Sequence, residues 1–285
     1  MDQTRLLKAL ADLPLGAIKY FERVGSTNDE AAMWAAQGAP DLALVIAEEQ
    51  TAGRGRQGRT WITIPGASLA LSLVMYPVEK SSHILPRLTA LGALAIRDTL
   101  QKDYGLHAQI KWPNDVLVHR RKLAGVLAEA QWIGDQLGAL ILGVGINIAA
   151  ASVGTALRNE DGLRFPATYV EGILGRPVDR LQLLHDVLAE LIHWRPRLSS
   201  PEFLQVWEAS LAFRGERVQV ITGQSVGKDG LPAGLEGHPP TVVEGMIVGL
   251  APDGSLKLRN QSGEIVIVRA GEVRLRPVET SPIYE

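Results

Sequence analysis

Gln50 to Trp61 reads QTAGRGRQGRTW, with three glycines and three arginines inside residues 53–59. Gly53, Gly55 and Gly58 fit G-x-G-x-x-G, and the same letters nearly fit the phosphate-loop pattern, with Arg59 where a lysine belongs. Both patterns need a helix to open at once, so that its N-terminus faces a phosphate. The chain continues instead as RTWITIP, β-prone and ending at Pro65. A doubly wound nucleotide fold is therefore disfavoured, and the stretch reads as an anion-binding loop of an α+β domain. Glycine lets backbone amides approach a ligand closely, and arginine offers planar donors to phosphate or carboxylate. Three crowded arginines repel one another unless an anion is expected, so the loop should order on its ligand. The bland alternative is a solvated basic loop.

On the N-terminal side of this loop, AIKYFERV (17–24) reads as a strand, and Thr27 with Glu30 fits a capping box ahead of the short helix AAMWAA. LALVIAE (42–48) and SLALSLVMY (68–76) are buried strands by their apolar runs, and residues 83–103 repeat apolar positions at helical spacing. Strands come next near 107–111, 115–118, 122–132 and 137–147, the last two joined by a Gly134-Asp135 turn. Beyond a Gly/Asn/Asp-rich stretch at 154–162, helical patterns cover about 167–174, 179–194 and 201–211. Near residue 214 the pattern changes to short β-branched runs with Asp253-Gly254 and Ser262-Gly263 turns, which predicts a small β-barrel. Residues 223–240, rich in Gly and Pro, read as a long flexible loop inside it. The expected division is 1–213, an α+β domain, and 214–285, all β.

The chain has 285 residues and a formal net charge of −2, which argues against non-specific binding along nucleic acid. The absence of cysteine excludes disulfides, thiolate metal sites and cysteine nucleophiles. The six histidines are dispersed, so no dedicated metal site is expected. The N-terminus lacks the apolar core of an export signal, and the longest apolar runs stop short of a membrane span, so a cytoplasmic protein is expected.

Three further segments carry chemistry. In KWPNDVLVHRRKLAGVLAE (111–129), Trp112-Pro113 shapes the backbone and Asn114-Asp115 stand at a strand entrance. Asp115 reads as an Asx turn, a magnesium ligand, or a group that orients a ribose or adenine. Lys122, across a hairpin turn from Asp115, heads an apolar strand and needs an anionic partner. GSTNDEA (25–31) places Ser26, Thr27 and Asn28 at a helix start, where capping accounts for Thr27 alone. In GVGIN (143–147), Gly143 and Gly145 leave room against a strand, for packing or for a ligand, and Asn147 ends it.

Taken in order, STN, AEEQTAGRGRQGRTW, KWPND, RKLAG and GVGIN resemble the biotin protein ligases, over about residues 18–148. The resemblance implies a catalytic domain with a mixed or antiparallel sheet and helices, related to class II synthetase-like ligases, then an SH3-like barrel. It implies that biotin is activated by ATP, with Mg2+, to biotinoyl-5′-AMP and passed to a lysine of a biotin carboxyl carrier protein domain. Carried over by motif, Ser26, Thr27, Asn28 and Gln50 should meet the ureido ring of biotin. Arg54, Gly55 and Arg56 should fold over the valeryl chain, carboxylate and phosphate, with Lys122 on the carboxylate and the transferred phosphoryl. Lys122 and Arg56 are the catalytic choices. Gly53, Arg59, Trp61, Asn114, Asp115, Asn147 and Arg276 should serve the nucleotide, Arg276 by its place in GEVRLR. Relatives that also repress transcription carry a helix-turn-helix ahead of STN; the 25 residues before Ser26 are too few for one, so no DNA binding is expected. Rival readings are a lipoate or octanoate ligase or transferase, and a biotin sensor without turnover.

Overall fold

The computed structural model describes residues 1–76, 84–133, 135–154, 166–222, 225–226, 232–233 and 241–275. The elements run α1 (Gln3–Ala9), β1 (Ala17–Val24), α2 (Thr27–Ala36), β2 (Ala43–Gln50), β3 (Ser68–Met75) and α3 (Ile84–Lys102). Next come β4 (Ala108–Lys111), β5 (Asp115–Val118), β6 (Arg121–Ile133), β7 (Gln136–Asn147), α4 (Val170–Leu174), α5 (Arg180–Trp194) and α6 (Pro201–Ala209). The remainder is β8 (Arg217–Thr222), β9 (Ser225–Val226), β10 (Pro232–Ala233), β11 (Thr241–Leu250), β12 (Leu256–Arg259), β13 (Ile265–Val268) and β14 (Glu272–Leu275).

β1 to β7 form one mixed sheet in the order β1-β2-β3-β7-β6-β5-β4; β1 and β2 are parallel and all other pairs antiparallel. The central strands are apolar at nearly every position because both faces are covered. Leu44, Ile46, Leu71, Leu73 and Leu142 join the main core with Leu91, Leu94, Leu184 and Leu188 of α3 and α5. On the other face Val45, Val74 and Ile141 pack with Ala31 of α2 in a smaller cluster. α2 is only 10 residues long, so it covers part of that face and leaves the rest open. Side chains alternate between faces along a strand, and the register therefore puts Ser72, Gly143, Gly145, Gly125 and Asp115 on the open part.

Several expectations change at the element ends. The helix expected from 167 starts at Val170, because Pro166 and Thr168 run alongside Lys122: Lys122 N donates to Pro166 O and Thr168 N donates to Lys122 O. The Thr27–Glu30 capping box is not formed. Ser26 is the N-cap, its side chain makes no capping bond, and Thr27 turns instead to Gln50. Of the turn joining β6 and β7, Gly134 lies outside the described residues, and the strands pair as the expected antiparallel hairpin.

β8 and β11 to β14 form a second, antiparallel sheet in the order β13-β12-β11-β8-β14. It is an open sheet among the described residues: β13 and β14 are its two edges and do not pair. The expected loop at 223–240 lies mostly outside the described residues; within it β9 and β10 make a short antiparallel pair. The sheet is tied to the elements that precede it by named bonds. Trp112 Nε1 donates to Gly254 O (3.0 Å), Leu250 N donates to Glu208 Oε2 (2.7 Å), and the Arg87 guanidinium donates to Leu198 O and Pro252 O.

Candidate active site

A cleft of about 850 Å3, counted to its open mouth, occupies the uncovered face of the large sheet. Of the residues singled out in the sequence, Ser26, Thr27, Asn28, Gln50, Arg54, Gly55, Arg56, Arg59, Trp61, Asn114, Asp115 and Lys122 line it. Gly53 and Asn147 do not line it. Gly53 O accepts from Trp61 N at the base of the loop (2.9 Å), and Asn147 Nδ2 donates to Thr168 O (3.1 Å). Arg276 lies outside the described residues.

One end of the cleft is neutral and rich in hydrogen-bonding groups. Thr27 presents its amide and hydroxyl to Gln50 Oε1 (2.8 and 3.0 Å), and Gln50 Nε2 donates to Thr63 Oγ1. The buried Ser72 hydroxyl donates to Asn28 Oδ1 (2.6 Å), and Asn28 Nδ2 donates to Glu129 Oε2 (2.6 Å). A methyl group on Gly143 would sit 2.1 Å from Asn28 Oδ1, so the strand is bare there to admit that side chain. At the rim Arg54 is paired with Asp29 (2.7 Å) and Glu129 (3.0 Å).

The arginine loop is a small hairpin. Arg54 bridges Thr60, Gly55 N donates to Arg59 O (2.7 Å), and a 3-10 turn over Arg56–Gly58 carries Gln57 and Gly58 at positive φ. This folds Trp61 back over the sheet, where Gly145 makes room: a Cβ there would lie 2.3 Å from the indole. Trp61 Nε1 is buried without an acceptor among the described residues, a donor left for whatever fills the cleft. The Lys122 ammonium lies 5.7 Å from the Trp61 ring centre.

The other end is cationic. A two-residue turn at His119 and Arg120, both at positive φ, returns β6 onto β5 and sets Lys122 Nζ 2.6 Å from Asp115 Oδ1. Lys111 Nζ faces the second oxygen, Oδ2, at 3.3 Å. Burial opposes the charge on Asp115, but Lys122 and Lys111 outweigh it and hold the carboxyl at about 2. Arg56 Nη1 donates to Asn114 Oδ1 (3.2 Å), and Asn114 Nδ2 donates to Val126 O. Burial lowers the Arg56 guanidinium from its ordinary value against the pull of Asp115 and Glu272, yet leaves it a cation. Arg59 pairs with Glu272 of β14, which also stands 3.9 Å from Lys111.

The sequence reading left out Lys111, Glu272, Glu129, Ser72 and Thr63. Lys111 was visible as the one charge closing the strand AQIK. Glu272 is separated from Arg59 by 213 positions and has no local signature. Among the described residues no group of three or more His, Cys, Asp or Glu could hold a metal ion, and no helix is long and apolar enough to cross a membrane.

A pocket of uncharged hydrogen-bonding groups joins a row of lysines and arginines across a floor kept low by Gly125, Gly143 and Gly145, an arrangement suited to a ligand with a polar end and an anionic end. Residues 20–147 match the model of the biotin/lipoate A/B protein ligase family. The chain is 34% identical over 253 residues to a biotin–[acetyl-CoA-carboxylase] ligase of Paracoccus denitrificans, covering 87% of this chain and 96% of that one. It is 31% identical over 282 residues to the ligase of the same name from Mycobacterium tuberculosis, covering 93% and 94%. A biotin protein ligase from Aquifex aeolicus, solved in complex with biotin and ATP, superposes with a TM-score of 0.70 at 25% identity, covering 91% and 98%. The chain belongs to the biotin/lipoate A/B protein ligase family, and its relatives place it among the biotin ligases.

Proposed function

We infer that this protein activates biotin with ATP and transfers it to a lysine of a carboxylase's biotin carrier domain, as the names of its relatives imply. The observation that carries the reading is the polarity of the cleft: the Thr27–Gln50–Asn28 network at one end, Lys122, Lys111, Arg56 and Arg59 at the other. A ureido ring offers two N–H donors and a carbonyl, which such a neutral network satisfies; Ser26, Thr27, Asn28 and Gln50 take that part. The acyl chain then crosses the glycine floor under Arg54, Gly55 and Arg56.

In the first step a biotin carboxylate oxygen bonds to the α-phosphorus of ATP and the bond to pyrophosphate breaks. Two anions must meet, so the cations in place before the reaction lower the barrier without rearranging. Lys122 faces both the carboxylate and the transferred phosphoryl group, held there by Asp115. Trp61, Asn114, Arg59 and Asp115 serve the nucleotide end, with Gly53, Asn147 and Arg276 assigned to the same end by motif. Mg2+ enters with ATP on its phosphates. Both Asp115 oxygens face ammonium groups, so this carboxylate serves as a holder of lysines and is not assigned to the metal. In the second step a carrier lysine amine attacks the acyl carbonyl and AMP departs. The hairpin of residues 54–60 closes over the mixed anhydride and excludes water.

We read the second sheet as an SH3-like domain from its hairpin turns, although its described strands leave the sheet open, and the catalytic sheet as class II synthetase-like from its likeness to ligase folds. Leu6 and Leu10 sit in the main core, which supports a structural use of the first helix over a DNA-reading one. A cytoplasmic location follows from the carboxylase acceptor. The test is pyrophosphate release with ATP, Mg2+ and either biotin or lipoate, without acceptor. About one equivalent with biotin alone supports the reading. A burst with lipoate moves the pocket to the related acyl ligases, and biotin binding with no release makes the protein a sensor.

A further inference from the structure

The reactive end of the cleft is a chain of alternating charges that begins in the second sheet. Glu272 of β14 pairs with Arg59 of the hairpin through one oxygen and faces Lys111 at 3.9 Å through the other. Lys111 faces Asp115 at 3.3 Å, and Asp115 faces Lys122 at 2.6 Å. The Glu272 side chain is only 14% exposed, so the charge is held in the wall of the cleft and little screened. β14 is held in this sheet by its pairing with β8, and the bonds of Trp112, Glu208 and Arg87 tie the β11–β12 turn of the same sheet to the elements before it. Removing Glu272 would take away the carboxylate that faces Lys111 from the second sheet and the ion pair of Arg59, leaving Arg59 its longer bond to Gln57 Oε1 (3.4 Å).

We propose that Glu272 is a positioning residue for the adenylating step, which holds Arg59 and Lys111 facing the phosphates of the nucleotide. It acts through those two cations and has no part in the biotin end, where Thr27, Asn28 and Gln50 lie. The second sheet thus completes the nucleotide end of the site. The inference rests on the biotin-activating reading above.

The test uses the full chain and steady-state pyrophosphate release with biotin, ATP, Mg2+ and a biotin carrier domain as acceptor, so that the enzyme turns over. Glu272→Gln keeps the shape and removes the charge. It should raise KM for ATP about tenfold, the scale of one lost charge-assisted hydrogen bond, lower kcat less than about threefold, and leave the calorimetric Kd for biotin within about twofold. Arg59→Met should raise KM for ATP to a similar extent, and adding Glu272→Gln to a protein carrying Arg59→Met and Lys111→Met should have no further effect. An unchanged KM in Glu272→Gln, a lower KM, or an effect that persists in the triple variant would overturn the proposal. If Glu272→Gln loses biotin binding through misfolding, Arg59→Met with Glu272→Asp decides. The shorter acid should give an intermediate KM, and wild-type KM in both would refute the role. A wild-type chain that releases no pyrophosphate would overturn the activity reading and this inference with it.

Discussion

Gly145→Ala tests whether the cleft is shaped by the absence of side chains. Gly145 is not at positive φ, so alanine fits its backbone and the only change is a methyl group. That methyl would lie 2.3 Å from Trp61 Cε2, 2.5 Å from Cζ2 and 2.6 Å from Nε1. Ordinary contact begins near 3.4 Å, so the indole must retreat by about 1 Å. Its backbone is tied to Gly53 and its ring also lies over Gly125 of the neighbouring strand, so the hairpin moves with it. Overpacking costs about 1–3 kcal/mol, offset by about 0.5–1 kcal/mol for replacing glycine inside a strand. The net of about 1 kcal/mol, at roughly 2–4 °C per kcal/mol, should lower Tm by about 4 °C and by no more than about 10 °C. A misplacement of about 1 Å at the reacting groups should slow pyrophosphate release roughly 100-fold. Single-turnover release and a thermal melt read both quantities. Full rate with unchanged Tm would refute the argument, since Trp61 would then not be fixed against the strand. Gly143→Ala is the partner experiment: its methyl strikes Asn28 and should weaken biotin binding more than it slows the bound complex.

Lys122→Ala should cut pyrophosphate release about 100–1000-fold while biotin Kd changes only a few-fold, and an unchanged rate would remove Lys122 from the chemistry. Asp115 gives a pH signature. Its folded pKa of about 2 lies below the ordinary 3.8, so its contribution is complete above about pH 4 and is lost as pH falls toward 2. The shift corresponds to roughly 2 kcal/mol; urea midpoints between about pH 5 and 2.5 should drop in the wild type and stay flatter in Asp115→Asn, and parallel slopes would show that the carboxylate is not held by its lysines. Arg56→Gly should let the adenylate escape, seen as several-fold more acceptor-independent biotinylation of bystander lysines. No increase would mean that the hairpin is not the cover of the anhydride.

Much of the catalytic sheet was legible because the apolar runs at 42–48, 68–76 and 137–147 report strands buried on both faces. The Asp115–Lys122 pairing was legible as well, since a short turn fixes which residues of β5 and β6 come together. The start of α2 was misread for an instructive reason. A capping pattern is local, whereas Gln50 and Ser72, which engage Thr27 and Asn28, arrive from two other strands. Glu272 was beyond reach of spacing altogether, because β14 pairs with β8 at the sheet edge and so returns to Arg59 from the far end of the chain. The hairpins of the second sheet were read from their turns, but whether its edges meet depends on twist and strand order, which turn residues do not encode.

Gly143 and Gly145 give the cleft a one-sided tolerance. A floor made of bare backbone cannot be dug deeper: every substitution there fills space, and none creates it. The floor is also two hydrogen-bonded strands of the central sheet, so it does not yield to accommodate a larger guest. It acts as a fixed ruler for the acid lying across it, and the hairpin of residues 54–60 is the adjustable jaw. A version of this protein that accepts a bulkier acid must therefore be sought in the jaw, while a methyl group on the floor strikes Asn28 or Trp61 first and disturbs the side chains that shape the cleft.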